Sequence, residues 1–310
     1  RARLVVVRLL GGRAYWPYGL DEIAAACRSA GVAFAALLDD DDDADSRALS
    51  ILPPAARRRL TAYLREGGPD NADNFLRYAH ALVGGPAVWS EPRPLLRAGL
   101  YWPGREAPGL DDVRAAWRPG APVAALVFYR AYLAAGATGA IDAAVATLLD
   151  RGLNPLPVFV ASLKDAFAAD ILARTFAQAP PDVVLNTTAF ATGSPADADG
   201  GVLAASDAPV LQLAFAGVSR EAWDADGRGL GARDLAMNVA LPEVDGRLFA
   251  GAVAFKAEAA FDADTQCAIV RHVADPDQLA FACDLAAAWT RLRRAPPAER
   301  RIAFVLANYP

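Results

Sequence analysis

Glu243 and Asp245 stand two residues apart in Leu241-Pro242-Glu243-Val244-Asp245-Gly246, directly after a helical pattern. A carboxylate can accept a proton in a general-base step or lend an oxygen to a divalent cation. Pro fixes φ and Gly permits positive φ, so a turn of this composition holds two acids on a defined backbone. From these residues two readings stand: a site-forming loop, or a capped helix end carrying surface acids.

A second set of chemistry-bearing residues recurs just after apolar, strand-like runs. Tyr129 and Arg130 follow one run, Ser162, Lys164 and Asp165 the next, then Asn186, Thr187 and Thr188, then Ser219, Arg220 and Glu221. If those runs share one sheet, the groups face one crevice. Arg130, Lys164 and Arg220 would then grip the carboxylates of a ligand, with Asn186 and Thr187 as hydrogen-bonding neighbours. Of the 31 basic residues only Lys164 and Lys256 are lysines, and Lys is the compact point charge where Arg is a planar fork.

Only two histidines occur. His80 sits in an amphipathic helical pattern and reads as structural. His272 closes an apolar strand pattern downstream of Glu258 and Asp262, and His272 with Glu258 are the candidate metal ligands, since imidazole and carboxylate suit a divalent transition-metal ion. No HxH or i, i+4 pair accompanies them. No GxSxG occurs, which argues against a Ser-His-Asp triad. Neither a strand-linked GxGxxG nor a GxxxxGK[ST] occurs, which argues against nucleotide binding by this segment. Cys27, Cys267 and Cys283 are widely spaced and form no CxxC, so a disulfide framework or thiolate zinc site is not expected.

The elements that must position these residues read as α/β. Residues 4–9, 20–29 and 32–38 read as strand, helix and strand, a βαβ unit, with helices over 55–65 and 71–83 after it. The run of aspartates at 39–43 reads as a solvated loop, because consecutive Asp side chains diverge and repel. Residues 84–121 collect prolines, glycines and Trp89, Tyr101 and Trp102, and read as an aromatic-anchored linker.

A second alternation follows: strand 123–129, helix 137–150, strand 156–160, helix 166–178, strands 182–185 and 209–215, strand 247–255, segment 268–273 and a long helix 276–294. Apolar strands alternating with helices specify parallel-sheet, Rossmann-like or flavodoxin-like units with flanking helices. Ligands of such sheets sit at the carboxyl ends of the strands. The expected division is an incomplete N-terminal unit over 1–83, the linker 84–121, a second α/β domain over 122–297 containing the acidic turn, and a strand opening a further domain over 298–310. The missing initiator Met and the apolar final run suit a piece of a longer chain.

The net charge of −5 argues against a polyanionic partner such as nucleic acid. No apolar run reaches the roughly 18 residues a membrane span needs, and no signal-peptide pattern opens the chain, so a cytoplasmic protein without a membrane partner is expected.

The tract Asn238-Val239-Ala240-Leu241-Pro242-Glu243-Val244-Asp245-Gly246 resembles a segment of the family formed by the large subunits of aerobic cobaltochelatase and the magnesium-chelatase H subunits. In the same order so do Gly11-Gly12-Arg13-Ala14-Tyr15-Trp16-Pro17-Tyr18-Gly19-Leu20, Asn74-Phe75-Leu76-Arg77-Tyr78, Val127-Phe128-Tyr129-Arg130, Gly152-Leu153-Asn154-Pro155-Leu156-Pro157, Ser162-Leu163-Lys164-Asp165 and Ser219-Arg220-Glu221-Ala222-Trp223. The resemblance covers nearly the whole chain. It implies a portion of a large subunit whose family inserts Co²⁺, as substrate, into hydrogenobyrinic acid a,c-diamide in aerobic cobalamin synthesis. It also implies ATP, with Mg²⁺, used by separate AAA-type ATPase subunits, a corrinoid or related tetrapyrrole partner, and Glu243 and Asp245 as catalytic acids. The alternatives are magnesium insertion into protoporphyrin IX and a non-catalytic tetrapyrrole-binding module. One departure is visible: family sequences often carry His within Glu-Ala-His-Phe-Asp, where this chain has Glu258-Ala259-Ala260-Phe261-Asp262.

Overall fold

The structure is a computed structural model describing residues 2–38, 44–193, 201–204 and 206–306; the expected acidic loop at 39–43 lies outside them. The chain divides into two compact units, Arg1–Leu95 with Leu133–Gly136, and Leu96–Tyr132 with Ala137–Pro310.

In the first unit β1 (Leu4–Arg8), α1 (Pro17–Ala30) and β2 (Ala33–Leu37) form the expected βαβ unit, with Leu4 opposite Ala33 in a parallel pair. Pro17 starts α1, where a missing N–H costs nothing, and Gly31 ends it in the left-handed conformation at φ 63°. Strand alternation splits β2 between two cores. Phe34 and Ala36 pack with Leu20, Ala24 and Cys27 of α1. After α2 (Ala44–Leu49), the helices α3 (Pro54–Glu66) and α4 (Pro69–Leu82) bring Leu60, Tyr63 and Tyr78 against Ala35 and Leu37 on the other face.

The second unit holds β3 (Ala98–Leu100), α5 (Leu110–Arg114), β4 (Val123–Tyr129), the start of α6 (Ala131–Ala134), α7 (Gly139–Asp150), β5 (Asn154–Val160), α8 (Ala166–Gln178), β6 (Val183–Asn186), α9 (Gly201–Ala204) and β7 (Val210–Phe215). These are followed by α10 (Arg220–Ala225), α11 (Ala232–Leu235), α12 (Leu241–Val244), β8 (Leu248–Asp262), β9 (Cys267–Ala274) and α13 (Pro276–Arg294). The seven strands lie in the order β3-β5-β4-β6-β7-β8-β9. The five inner strands are parallel, and β3 and β9 run antiparallel along the edges. Among the inner strands the first in sequence, β4, is flanked by the second and third, which is the doubly wound, flavodoxin-like order.

Both faces are covered, as near-continuous apolar strands require. Ala125 and Val127 of β4 meet Ala168, Leu172 and Phe176 of α8. On the opposite face Leu126 and Phe128 are fully buried, and α7 and α13 lie over the sheet with Ile141, Leu148 and Cys283 inaccessible.

Three expectations change. Residues 84–121 are more than a linker, since they supply β3 and α5 to the second unit. Residues 301–306 form no strand: Phe304, Val305 and Leu306 are exposed, and none of the described residues supplies the neighbouring ladder a strand requires. The acidic tract is not a separate turn. Residues 232–244 make one helical run, α11 passing through a π turn at Ala236–Ala240 into α12. Pro242 has no N–H for the ladder, and the wider turn just before it, where Leu241 N–H donates to Ala236 O, accommodates the break. Gly246, at φ 71°, then ends the run.

Candidate functional site

The chain leaves β4 for β5 on one side and then crosses back from β5 to β6 on the other, so the strand order reverses at β4 and a crevice opens beyond the carboxyl ends there. A cleft of about 190 Å³ occupies that place, lined by Tyr129 after β4, Ser162, Leu163 and Lys164 after β5, and Ala189, Phe190, Ala191 and Thr192 after β6. Among the described lining residues Lys164 is the only charged one, exposed and held at the start of α8 by a bond from its backbone N–H to Ser162 Oγ (3.1 Å). The volume is below the roughly 300–1,000 Å³ of pockets that engulf a drug-sized ligand. It suits a side arm of a larger molecule.

The wall after β6 is tied down residue by residue. Tyr129 Oη donates to Ala189 O (3.1 Å), Phe190 N–H to Met237 O (3.0 Å), and the N–H groups of Thr192 and Gly193 to Asp245 (2.8 and 3.0 Å), which also accepts from Thr192 Oγ1 (2.8 Å). Asp245 in turn pairs with Arg247 at 2.6 Å, both side chains 1% exposed. Burial pushes the Asp245 pKa up, but the Thr192 and Gly193 N–H groups, the Thr192 hydroxyl and the Arg247 charge outweigh it and hold the carboxyl below its ordinary value.

Beneath this pair Arg247 Nη1 donates to Gln212 Oε1 (3.3 Å), which also accepts from Asn186 Nδ2 (2.8 Å). Gln212 Nε2 donates to Thr188 O (3.0 Å), and Thr188 Oγ1 to Asn186 Oδ1 (2.9 Å). A polar network thus runs from the end of β6 and the middle of β7 to the start of β8 and fixes the loop above it.

The expected site residues separate accordingly. Tyr129, Ser162 and Lys164 come together at the cleft. Arg130 is half-buried, its backbone N–H on Val160 O and its Nε on Leu96 O. Asn186 and Thr187 correct the expectation of ligand contact: both are buried, Asn186 in the network and Thr187 Oγ1 on Val127 O (3.2 Å). Arg220 is engaged elsewhere. It pairs with Asp224 and Asp275 and lies over the rings of Trp223 and Phe255, joining α10 to the start of α13.

Glu243 and Asp245 also part company. Glu243 is exposed on α12, whereas Asp245, with both oxygens occupied by the loop and Arg247, has no accessible face for catalysis. His272 Nε2 lies 3.1 Å from Ala216 O, with Tyr132 and Phe215 against the ring, and burial lowers its pKa. Glu258 is exposed on the β8–β9 ribbon, opposite Val270. Among the described residues no group of three or more His, Cys, Asp or Glu is arranged to hold a metal ion, so the expected His272 and Glu258 pair is not part of one. No helix among them is long and apolar enough to cross a membrane.

Sequence reasoning missed Gln212, Arg247, Phe190 and Thr192. Gln212 and Arg247 carried a signal, since each is a polar residue in or beside an apolar strand where burial demands a partner. Phe190 and Thr192 carried none.

The fold and cleft define a doubly wound α/β domain with a cleft at the switch point. The family model for CobN/magnesium chelatase matches residues 61–310. The aerobic cobaltochelatase subunit CobN of a Sinorhizobium species is 46% identical over 321 aligned residues, covering 100% of this chain and 25% of that protein. The Pseudomonas aeruginosa subunit of the same name is 37% identical, again over 100% of this chain and 25% of its own length. The solved catalytic subunit of cobaltochelatase from Mycobacterium tuberculosis superposes with a TM-score of 0.72 at 30% identity, over 97% of this chain and 24% of that one. The chain belongs to the CobN/magnesium chelatase family, and it spans about a quarter of the length of these relatives.

Proposed function

We propose that this chain contributes to the large subunit of an ATP-dependent cobaltochelatase that inserts Co²⁺ into hydrogenobyrinic acid a,c-diamide in aerobic cobalamin synthesis, in the cytoplasm. The observation carrying this reading is the 46% identity to a cobaltochelatase subunit across the whole of the chain, with cleft-lining and network residues inside the aligned region. The cleft supports it chemically: the Lys164 ammonium in a small crevice suits a carboxylate arm at the edge of a macrocycle. Arg130, from the end of β4, adds positive charge to the same end of the sheet.

Insertion requires removing protons from ring nitrogens and stripping water from the ion. Glu243, an exposed carboxylate on α12, is the candidate to accept a proton or give the incoming ion a transient oxygen ligand. Asp245 serves by holding the cleft wall. Nothing in the sequence has the form of a phosphate-cradling loop, so ATP with Mg²⁺ belongs to AAA-type partner subunits.

The test is to titrate hydrogenobyrinic acid a,c-diamide and protoporphyrin IX into the same sample of the full-length protein, then assay Co²⁺ insertion with and without added ATPase subunits. Tight corrinoid binding and insertion only with the ATPase subunits are expected. Preference for protoporphyrin with Mg²⁺ insertion would assign the chain to the magnesium branch, and binding of either ring without insertion would make it a tetrapyrrole-binding module.

A further inference from the structure

Phe190 has φ 70°, in the left-handed region that a bulky side chain enters only at a cost in strain. The residue is 49% exposed, so burial offsets little of that cost. Glycine would accept the same backbone without strain. The conformation is nevertheless imposed from several sides, by Tyr129 on Ala189, by Met237 O on Phe190 N–H, and by the buried Asp245 on Thr192 and Gly193. The π turn at Ala236–Ala240 contributes through Met237, so the irregularity in the helix and the strained residue in the loop meet in one hydrogen bond. An apolar ring held out at a strained position, beside a cleft in which Lys164 is the one charged residue among the described lining, has no evident use among the described contacts of the fold.

We propose that Phe190 is a substrate-contacting residue, its ring packing against the flat face or edge of the macrocycle while a carboxylate arm of the same molecule enters the cleft to meet Lys164. This rests on the functional reading above, and it adds a specificity: the ligand must present an extended apolar ring and a short acidic arm together. Asp245 is then a positioning residue that acts through the loop.

The experiment measures binding of hydrogenobyrinic acid a,c-diamide to the full-length protein carrying Phe190→Gly, Phe190→Tyr or Lys164→Gln, with thermal stability alongside. Phe190→Gly is expected to weaken binding by about tenfold or more, the scale of a lost aromatic contact, with melting temperature unchanged or raised because the strain is relieved. Phe190→Tyr, which keeps the ring, should bind nearly as wild type. Lys164→Gln should weaken binding of the free acid yet leave a methyl-ester derivative unaffected. Wild-type affinity in Phe190→Gly overturns the proposal while leaving the functional reading intact. If the unsubstituted protein binds neither this corrinoid nor protoporphyrin IX, the functional reading falls and this inference falls with it.

Discussion

Asp245 and Arg247, two residues apart at the entry to β8, form an ion pair at 2.6 Å in which both side chains are 1% exposed, and the carboxylate uses its remaining capacity on the backbone of Thr192 and Gly193. Removing one charge strands the other in the interior. Asp245→Asn should therefore destabilise the second unit by about 3–5 kcal/mol at neutral pH, measured by urea unfolding. The folded-state pKa of Asp245 lies below its ordinary 3.8, so the stabilisation is fully present above that value and is lost as pH falls through the folded-state pKa. The gap between wild type and variant should close in acid; a gap that does not depend on pH would mean the charge is not what matters.

Lys164 and Arg220 should behave oppositely, although the sequence presents both as strand-end cations. Lys164→Gln should weaken corrinoid binding by about 1.5–3 kcal/mol, the range for a charged hydrogen bond. Arg220→Gln should leave affinity unchanged, because its guanidinium already serves Asp224 and Asp275. Isothermal titration of the two variants at matched salt distinguishes these outcomes.

Glu243→Gln preserves shape and removes charge at an exposed position where no packing is at stake. Cobalt insertion should fall by about 10² or more, the scale of losing a general base, while corrinoid affinity and melting temperature hold. Normal turnover would remove Glu243 from the chemistry.

His272 supplies a pH test of the edge ribbon. Burial lowers its pKa from the ordinary 6.5, with the Lys256 charge in the same direction and the Ala216 carbonyl opposing. The unfolded chain therefore takes up a proton first, and stability should decline as pH falls below 6.5 toward the folded-state pKa. His272→Asn should flatten that slope, as read by denaturation midpoints across the same window.

Much of this protein is legible in one dimension. The apolar runs at 123–129, 156–160 and 209–215 announce buried parallel strands, since only a sheet covered on both faces needs side chains that are apolar in both directions. The helix at 166–178 emerges with the expected bounds, because Asp165 caps it through Phe167 N–H and its apolar spacing repeats with the helical turn. The family resemblance, too, lies in the residues themselves.

What only the tertiary structure decided is which polar groups face out. Asn186, Thr187, Arg220 and Asp245 have the same chemical character in the sequence as Lys164 and Glu243, yet the first four are consumed by partners 26 to 60 positions away. Side-chain chemistry is local, but the partner that satisfies or frees a buried charge is supplied by chain crossing, and Gln212, Thr192 and Asp275 reach these residues only once the sheet has closed. The strained Phe190 is hidden for the same reason: its conformation is set by hydrogen bonds that the loop N–H groups donate to Met237 O and to the Asp245 carboxylate, which no pattern around residue 190 encodes.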